Sequence, residues 1–217
     1  MASGPMSRDA RTLFSWRAAV IMLALALFFY VVARFLVGST GALARHGDKL
    51  PFYWLHIVGG TIVLALAPFQ YLAPIRNRFR RYHRWAGYGF VAGSVLAFAG
   101  YVAIQPTAKD TFFLSQATAM ALWMAAMIAA VIAARRKRFL THRHNMTRAF
   151  VLAGYFVVVR FIDPAGMVLI TPFASEEAAA NAHSDWLAWV VPLVLVEAYY
   201  GREWDRLLRK RGQEGRP

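Results

Sequence analysis

Six long apolar runs, separated by short segments rich in arginine, constrain this chain more than any other feature. They lie at about 18–37, 54–75, 85–105, 112–134, 150–170 and 186–200. A helix needs roughly 20 apolar residues to cross a hydrocarbon core about 30 Å thick. In lipid each backbone N–H and C=O must find its partner inside the segment, so runs of this length are expected as transmembrane α-helices. The expected fold class is therefore all-α: one polytopic domain over 1–217, a six-transmembrane-helix bundle, with a basic cytoplasmic tail at 201–217. With 59% hydrophobic and only 17% charged residues, the chain has too little polar surface to wet a soluble domain.

The formal charge of +14 raises the question of nucleic acid. Twenty of the 25 Lys+Arg lie before the first run, between the second and third, between the fourth and fifth, and after the sixth. On the alternate side stand only Arg45, Lys49 and Lys109, while Arg34 and Arg160 fall within runs. This bias in short loops puts both termini in the cytoplasm. The cationic loops then face the bilayer and its anionic lipid headgroups, and no nucleic-acid partner is expected. Trp16, Trp54, Tyr82, Trp85, Trp186 and Tyr200 sit near proposed span ends, where amphipathic rings prefer to lie. The first run is too long for an ordinary cleaved signal and reads as an uncleaved anchor. The chain has no cysteine, so any metal or haem site depends on histidine.

Several residues stand out against this apolar background. In the second span His56 and Gly60 share a helical face, where a neighbouring helix or a flat ligand can approach. A histidine hydrogen-bonded at a packed helix crossing is the plainer reading. Ala86, Gly89, Gly93, Ala97 and Gly100 form a small-residue groove along the third span, and the fourth span reads as packing. Arg160 and Asp163 fall at membrane depth, where charge is costly unless paired, so they are either an intrahelical ion pair or a ligand or proton site. Arg34 either snorkels to the interface or faces the bundle. The loop at 171–185 is expected to be exposed. Glu197 is expected to neutralise an arginine of a neighbouring helix or to reach the inner interface. The tail is expected to lie on the membrane.

HIVGG, PFQY, the basic turn ending in HRWAG, and HRHNMTR with Arg160 twelve residues on together resemble a family of bacterial multi-pass membrane proteins. That family is known as a domain of unknown function, number twenty-three-oh-six. The resemblance runs over 54–170 and implies a bacterial inner (plasma) membrane location. The family's marked positions fall here on His56, Gly60, Gln70, His83, Arg84, Gly87, His142, Met146, Arg148 and Arg160. The chain departs from the pattern at Tyr88, where arginine is usual, and at Asn145, where tryptophan is usual; the remaining match favours His142 over His144 as the family histidine. The family name carries no reaction.

The sequence holds no nucleotide loop, HExxH or serine elbow, and it leaves open whether the chain is an enzyme. Its best specific expectation is a b-type haem protein with one bis-histidine site at the cytoplasmic face and a membrane redox partner. His83 opens the third span and His142 and His144 precede the fifth, so a bis-histidine pair is possible there. Arg84 and Arg148 are expected near the propionates. His142 and His144 lie about 200° apart on a helix, so only one is expected to face the bundle. The alternatives are a transporter or proton-binding protein using His56, Arg34, Arg160 and Asp163 in the outer half, and a structural lipid-binding protein. A zinc or copper site from the three inner histidines lacks a carboxylate second shell.

Overall fold

In the computed structural model the described residues are 47–71, 78–104, 113–170 and 177–214, and all of their secondary structure is helical. The first predicted span, and Arg34 within it, lie outside the described residues. Helix α1 is Leu50–Tyr71, entered through a 3-10 turn at Gly47–Lys49. Helix α2 is Arg80–Ile104, α3 is Phe113–Arg135, α4 is Phe139–Ile170 and α5 is Glu177–Glu214. Among the described residues, Gly47–Ala67, Arg80–Ile104 and Phe113–Arg135 are long and apolar enough to cross a membrane.

The outward faces show which solvent the helices fit. Val95 and Val102 on α2, Leu114, Leu122, Ile128 and Ile132 on α3, and Val191, Val194 and Leu195 on α5 are all exposed. A helix of a water-soluble bundle would carry charged residues there. Inside, Trp123, Met120 and Met127 of α3 pack with Leu152, Tyr155 and Val159 of α4, Trp189 of α5 and Val63 and Phe90 of the first two helices.

Packing is uneven. Helices α1 and α2 lie closely along one another, as do α3 and α4, and α4 and α5. The α1–α2 pair meets the other three helices only sparsely, through α1 against α4 and α2 against α3. The described helices thus form a tight hairpin set against a tight three-helix layer, with α4 at the centre of that layer.

Two elements extend beyond the hydrophobic runs that announce them. Helix α4 begins at Phe139, so the basic stretch before the fifth predicted span is helix and not loop. Its turn from α3 is closed by Lys137 N–H to Ala134 O at 3.0 Å and Arg138 N–H to Ala133 O at 2.9 Å. Lys137 takes the left-handed conformation this closure requires, with φ at 57°. Helix α5 runs for 38 residues through Pro192, where the sequence predicts a short span and a separate tail. At 1.5 Å per residue it reaches about 57 Å, well beyond the thickness of a hydrocarbon core. Hydropathy marks only the part of a helix that sits in lipid, so it misses both extensions.

Candidate functional site

At the arginine-rich end, α4 and α5 are joined by side chains that hydropathy does not reveal. Arg148 offers a two-pronged donor to Glu197, Nε to Oε1 at 2.5 Å and a terminal nitrogen to Oε2 at 2.7 Å, and donates to Asn145 Oδ1 at 3.0 Å. This is the planar fork geometry that arginine makes with carboxylate. One turn earlier, Arg143 pairs with Glu203. His144 Nε2–H donates to the other oxygen of Glu203 at 3.3 Å, and its ring stacks on Tyr200 with centroids 3.8 Å apart. The Tyr200 hydroxyl donates to Thr147 Oγ1 at 2.6 Å. Arg143 is the main cause, with His144 adding to it, that holds the Glu203 carboxyl below the usual carboxylate range.

His142 faces the other way. Its Nδ1 lies 2.9 Å from the backbone carbonyl of Ala130 on α3. A carbonyl only accepts, so Nδ1 carries a proton, as in the tautomer whose lone pair is on Nε2. On the same face of α3, two turns on, the buried indole N–H of Trp123 finds no acceptor among the described residues. His83 is half-buried in the first turn of α2, and Arg84 beside it is exposed.

The opposite end holds three further polar contacts. His56 donates from Nδ1 to the Ala97 carbonyl at 2.8 Å, where α1 and α2 approach to backbone contact. A Cβ on Gly59 would sit 2.4 Å from Ala97 N, and one on Gly100 would sit 2.5 Å from His56 N. Across the three-helix layer, the Tyr155 hydroxyl donates to Asp185 Oδ1 at 2.5 Å, and Trp189 Nε1–H donates to Ser115 Oγ at 3.0 Å. Ser115, Ser184 and Asp185 are all buried.

Several expectations change. His142 and His144 both meet neighbours, because α4 is flanked by α3 on one side and α5 on the other. The 200° between the two rings directs them to different helices and does not leave one outside. Arg148 is committed to Glu197 of α5 and to Asn145 of its own helix, so the propionate role expected of it does not fit its contacts. Glu197 neutralises a neighbouring arginine, as its position suggested. The glycine at the α1–α2 crossing is Gly59, and a Cβ on Gly60 would meet nothing within 4 Å. Asp185, expected in an exposed loop, is a buried helical residue.

Among the described residues no three or more His, Asp or Glu side chains gather closely enough to hold a metal ion, which removes the zinc or copper grouping of His83, His142 and His144. Arg160 and Asp163 belong to the backbone of α4, but their side chains lie outside the described residues. Tyr155, Asp185 and Glu203 were not singled out from sequence. The only signal for Asp185 and Glu203 was an acidic residue at helical spacing from the apolar positions of α5, and Tyr155 on α4 carried none.

A model of the family described as Predicted membrane protein (DUF2306) matches residues 53–200, which include His56, His83, Arg84, His142 and Arg148. No curated protein and no solved structure matches the chain.

Proposed function

We propose a reading for a chain that belongs to the DUF2306 family of predicted membrane proteins: one b-type haem held at the arginine-rich mouth between His83 of α2 and His142 of α4. The protein is then a six-span protein of the bacterial inner membrane, with both termini in the cytoplasm, passing electrons to a membrane redox partner. The charge bias of the loops supports the orientation, and alternation of the spans brings the starts of α2 and α4 to that same face.

The single observation that carries the reading is the Nδ1–H of His142 on the Ala130 carbonyl. A backbone acceptor at Nδ1 fixes the ring's tautomer and orientation and makes Nε2 the better ligand, as second-shell partners do for metal-bound histidines. The sparse contact between the α1–α2 hairpin and the three-helix layer is where a flat ring system inserts with least loss of packing. The contacts of the His144 ring with Tyr200 and Glu203 on the α5 side favour His142 over it as the ligand. Arg84 remains as the cation for a propionate. Bound between two imidazoles, haem iron supplies one-electron transfer.

Purified protein is expected to show a Soret band, as isolated or after titration with haemin. His142→Ala should abolish it, while His144→Ala should keep it. Protein that takes up no haem under either condition rules the reading out.

A second reading, proton or small-ligand binding in the outer half through Arg34, His56, Arg160 and Asp163, is favoured by the buried Tyr155–Asp185 contact at that end. It predicts pH-dependent binding or flux in proteoliposomes that Asp185→Asn and Arg160→Gln each reduce. Unchanged flux in both variants would count against it.

A further inference from the structure

The arginines at the mouth of the bundle fall into two groups that differ in what neutralises them. On α4, Arg143 and Arg148 are paired with Glu203 and Glu197 of α5. At the start of α2, Arg78, Arg80, Arg81 and Arg84 are exposed and meet no carboxylate among the described residues. Sequence explains why: no Asp or Glu occurs between Asp48 and Asp110. Helix α5, which supplies the acids to α4, does not lie along α2. The countercharge for this hairpin must come from outside it.

The same segment carries exposed aromatic rings. Phe79 is 56% exposed, Trp85 74% and Tyr88 65%, with Tyr82 also exposed. Arg78, Phe79, Arg80, Arg81 and Tyr82 line a surface recess, and the Arg78 guanidinium lies 6.0 Å from the centre of the Phe79 ring. Large rings at the entry of a 25-residue apolar helix belong at the level of lipid headgroups. The second basic turn, Arg135 to Arg138, has comparable charge but only Phe139 beside it.

We propose that the Arg78–Tyr82 recess, with Trp85 beside it, is a binding site for the phosphodiester headgroup of an anionic phospholipid. The guanidinium groups hold the phosphate by charge-assisted hydrogen bonds, and Phe79, Tyr82 and Trp85 pack on the glycerol and upper acyl region. The site differs from general attraction of a basic face to an anionic leaflet, because it couples free arginines to rings at one place on α2. It does not depend on haem binding, since it uses neither His83 nor His142.

The test is native mass spectrometry of the detergent-solubilised full chain, titrated with phosphatidylglycerol and with phosphatidylcholine. Wild-type protein should retain phosphatidylglycerol about tenfold more strongly, and that preference should fall as salt rises. Arg80→Gln/Arg81→Gln should remove the preference, whereas Arg135→Gln/Arg136→Gln, which lowers the charge of the same end equally, should keep it. Phe79→Ala/Trp85→Ala should weaken retention of both lipids. Equal loss in the two arginine double variants would reduce the site to diffuse electrostatics and overturn the proposal. So would equal retention of the two lipids by wild type, or displacement of phosphatidylglycerol by millimolar inorganic phosphate, which would identify free phosphate as the ligand.

Discussion

The α1–α2 hairpin and the α4–α5 pair are both close antiparallel contacts, yet they are held by opposite means. Where α1 crosses α2, glycines bring backbone against backbone, and a cross-helix hydrogen bond runs from a side chain to the main chain, His56 to Ala97. Between α4 and α5, long side chains make the contact, with two arginine–glutamate pairs, a stacked histidine and a tyrosine hydroxyl. The first contact gains from dispersion at short range and tolerates no added atom. The second gains from directional polar contacts near the interface, where water weakens each one. One is rigid by shape and the other is tunable by charge.

The largest effect expected from this contrast lies at adjacent glycines. Gly59→Ala puts a methyl against the backbone of α2 at Ala97 and Gly93, which no rotamer change relieves. A cost of about 2–3 kcal/mol is expected for such overpacking. Gly60→Ala meets nothing and should be neutral or stabilise by about 0.5 kcal/mol through helix propensity. Denaturation midpoints in detergent compare the two directly. Equal losses would mean that the hairpin is not closed by backbone contact.

These two regions were also unequally legible in the sequence. The small-residue stripe on α2 could be read from its spacing of three and four, because close packing requires small residues on one face. Which of Gly59 and Gly60 meets it could not, since the answer depends on the rotation of α1 against its partner and not on α1 alone. On the other side, Glu197 stood out as an acid at the end of an apolar run amid arginine. Glu203 did not, because its neighbours Arg202, Arg206 and Arg209 make the segment read as a tail. Asp185 was hidden in the same way by Glu176 and Glu177, which give its surroundings the composition of an exposed loop. The histidines were found by type, but their partners depend on α4 being helical from Phe139, a stretch that four consecutive cations disguise.

A smaller effect should come from the Arg148–Glu197 pair. Its side chains are 32% and 47% exposed, so a double-mutant cycle with alanine is expected to give a coupling of about 0.5–1 kcal/mol. The coupling should shrink in high salt, whereas the cost of Gly59→Ala should not. A salt-independent cycle would mean that this contact, too, is held by packing.

Acid should separate the regions further. Glu203 has its pKa depressed in the fold by Arg143 and His144, so its contribution is fully present above the ordinary carboxylate pKa of about 4.3 and is lost as pH falls through the lower folded value. Amide exchange of α5 around Glu203 should therefore rise below about pH 4 while that of α1 and α2 does not. In Arg143→Ala the rise should be smaller, since the main cause of the depression, and with it most of the pH-dependent contribution, is gone. Because Glu203 lies near solvent, the change is expected to be local, without unfolding of the helix pair.

The smallest expected effect tests what sets the register of α4 against α3. Lys137 is held at positive φ, where a side chain is strained and glycine is not. Lys137→Gly relieves that strain but gives back part of the gain as added freedom of the unfolded chain, so a net stabilisation of about 0.5 kcal/mol is expected. Arg136→Gly, just past the end of α3 where the Arg136 N–H still bonds the Ile132 carbonyl, should destabilise by a similar amount. The turn also fixes how far α4 slides along α3, and hence that the His142 ring meets the Ala130 carbonyl twelve residues earlier. Pro at 137 would impose φ near −65° and break the closure. If Lys137→Pro leaves the imidazole Nδ1–H resonance of His142 in its hydrogen-bonded position, then side-chain packing along the α3–α4 seam sets that register, and the turn merely follows it.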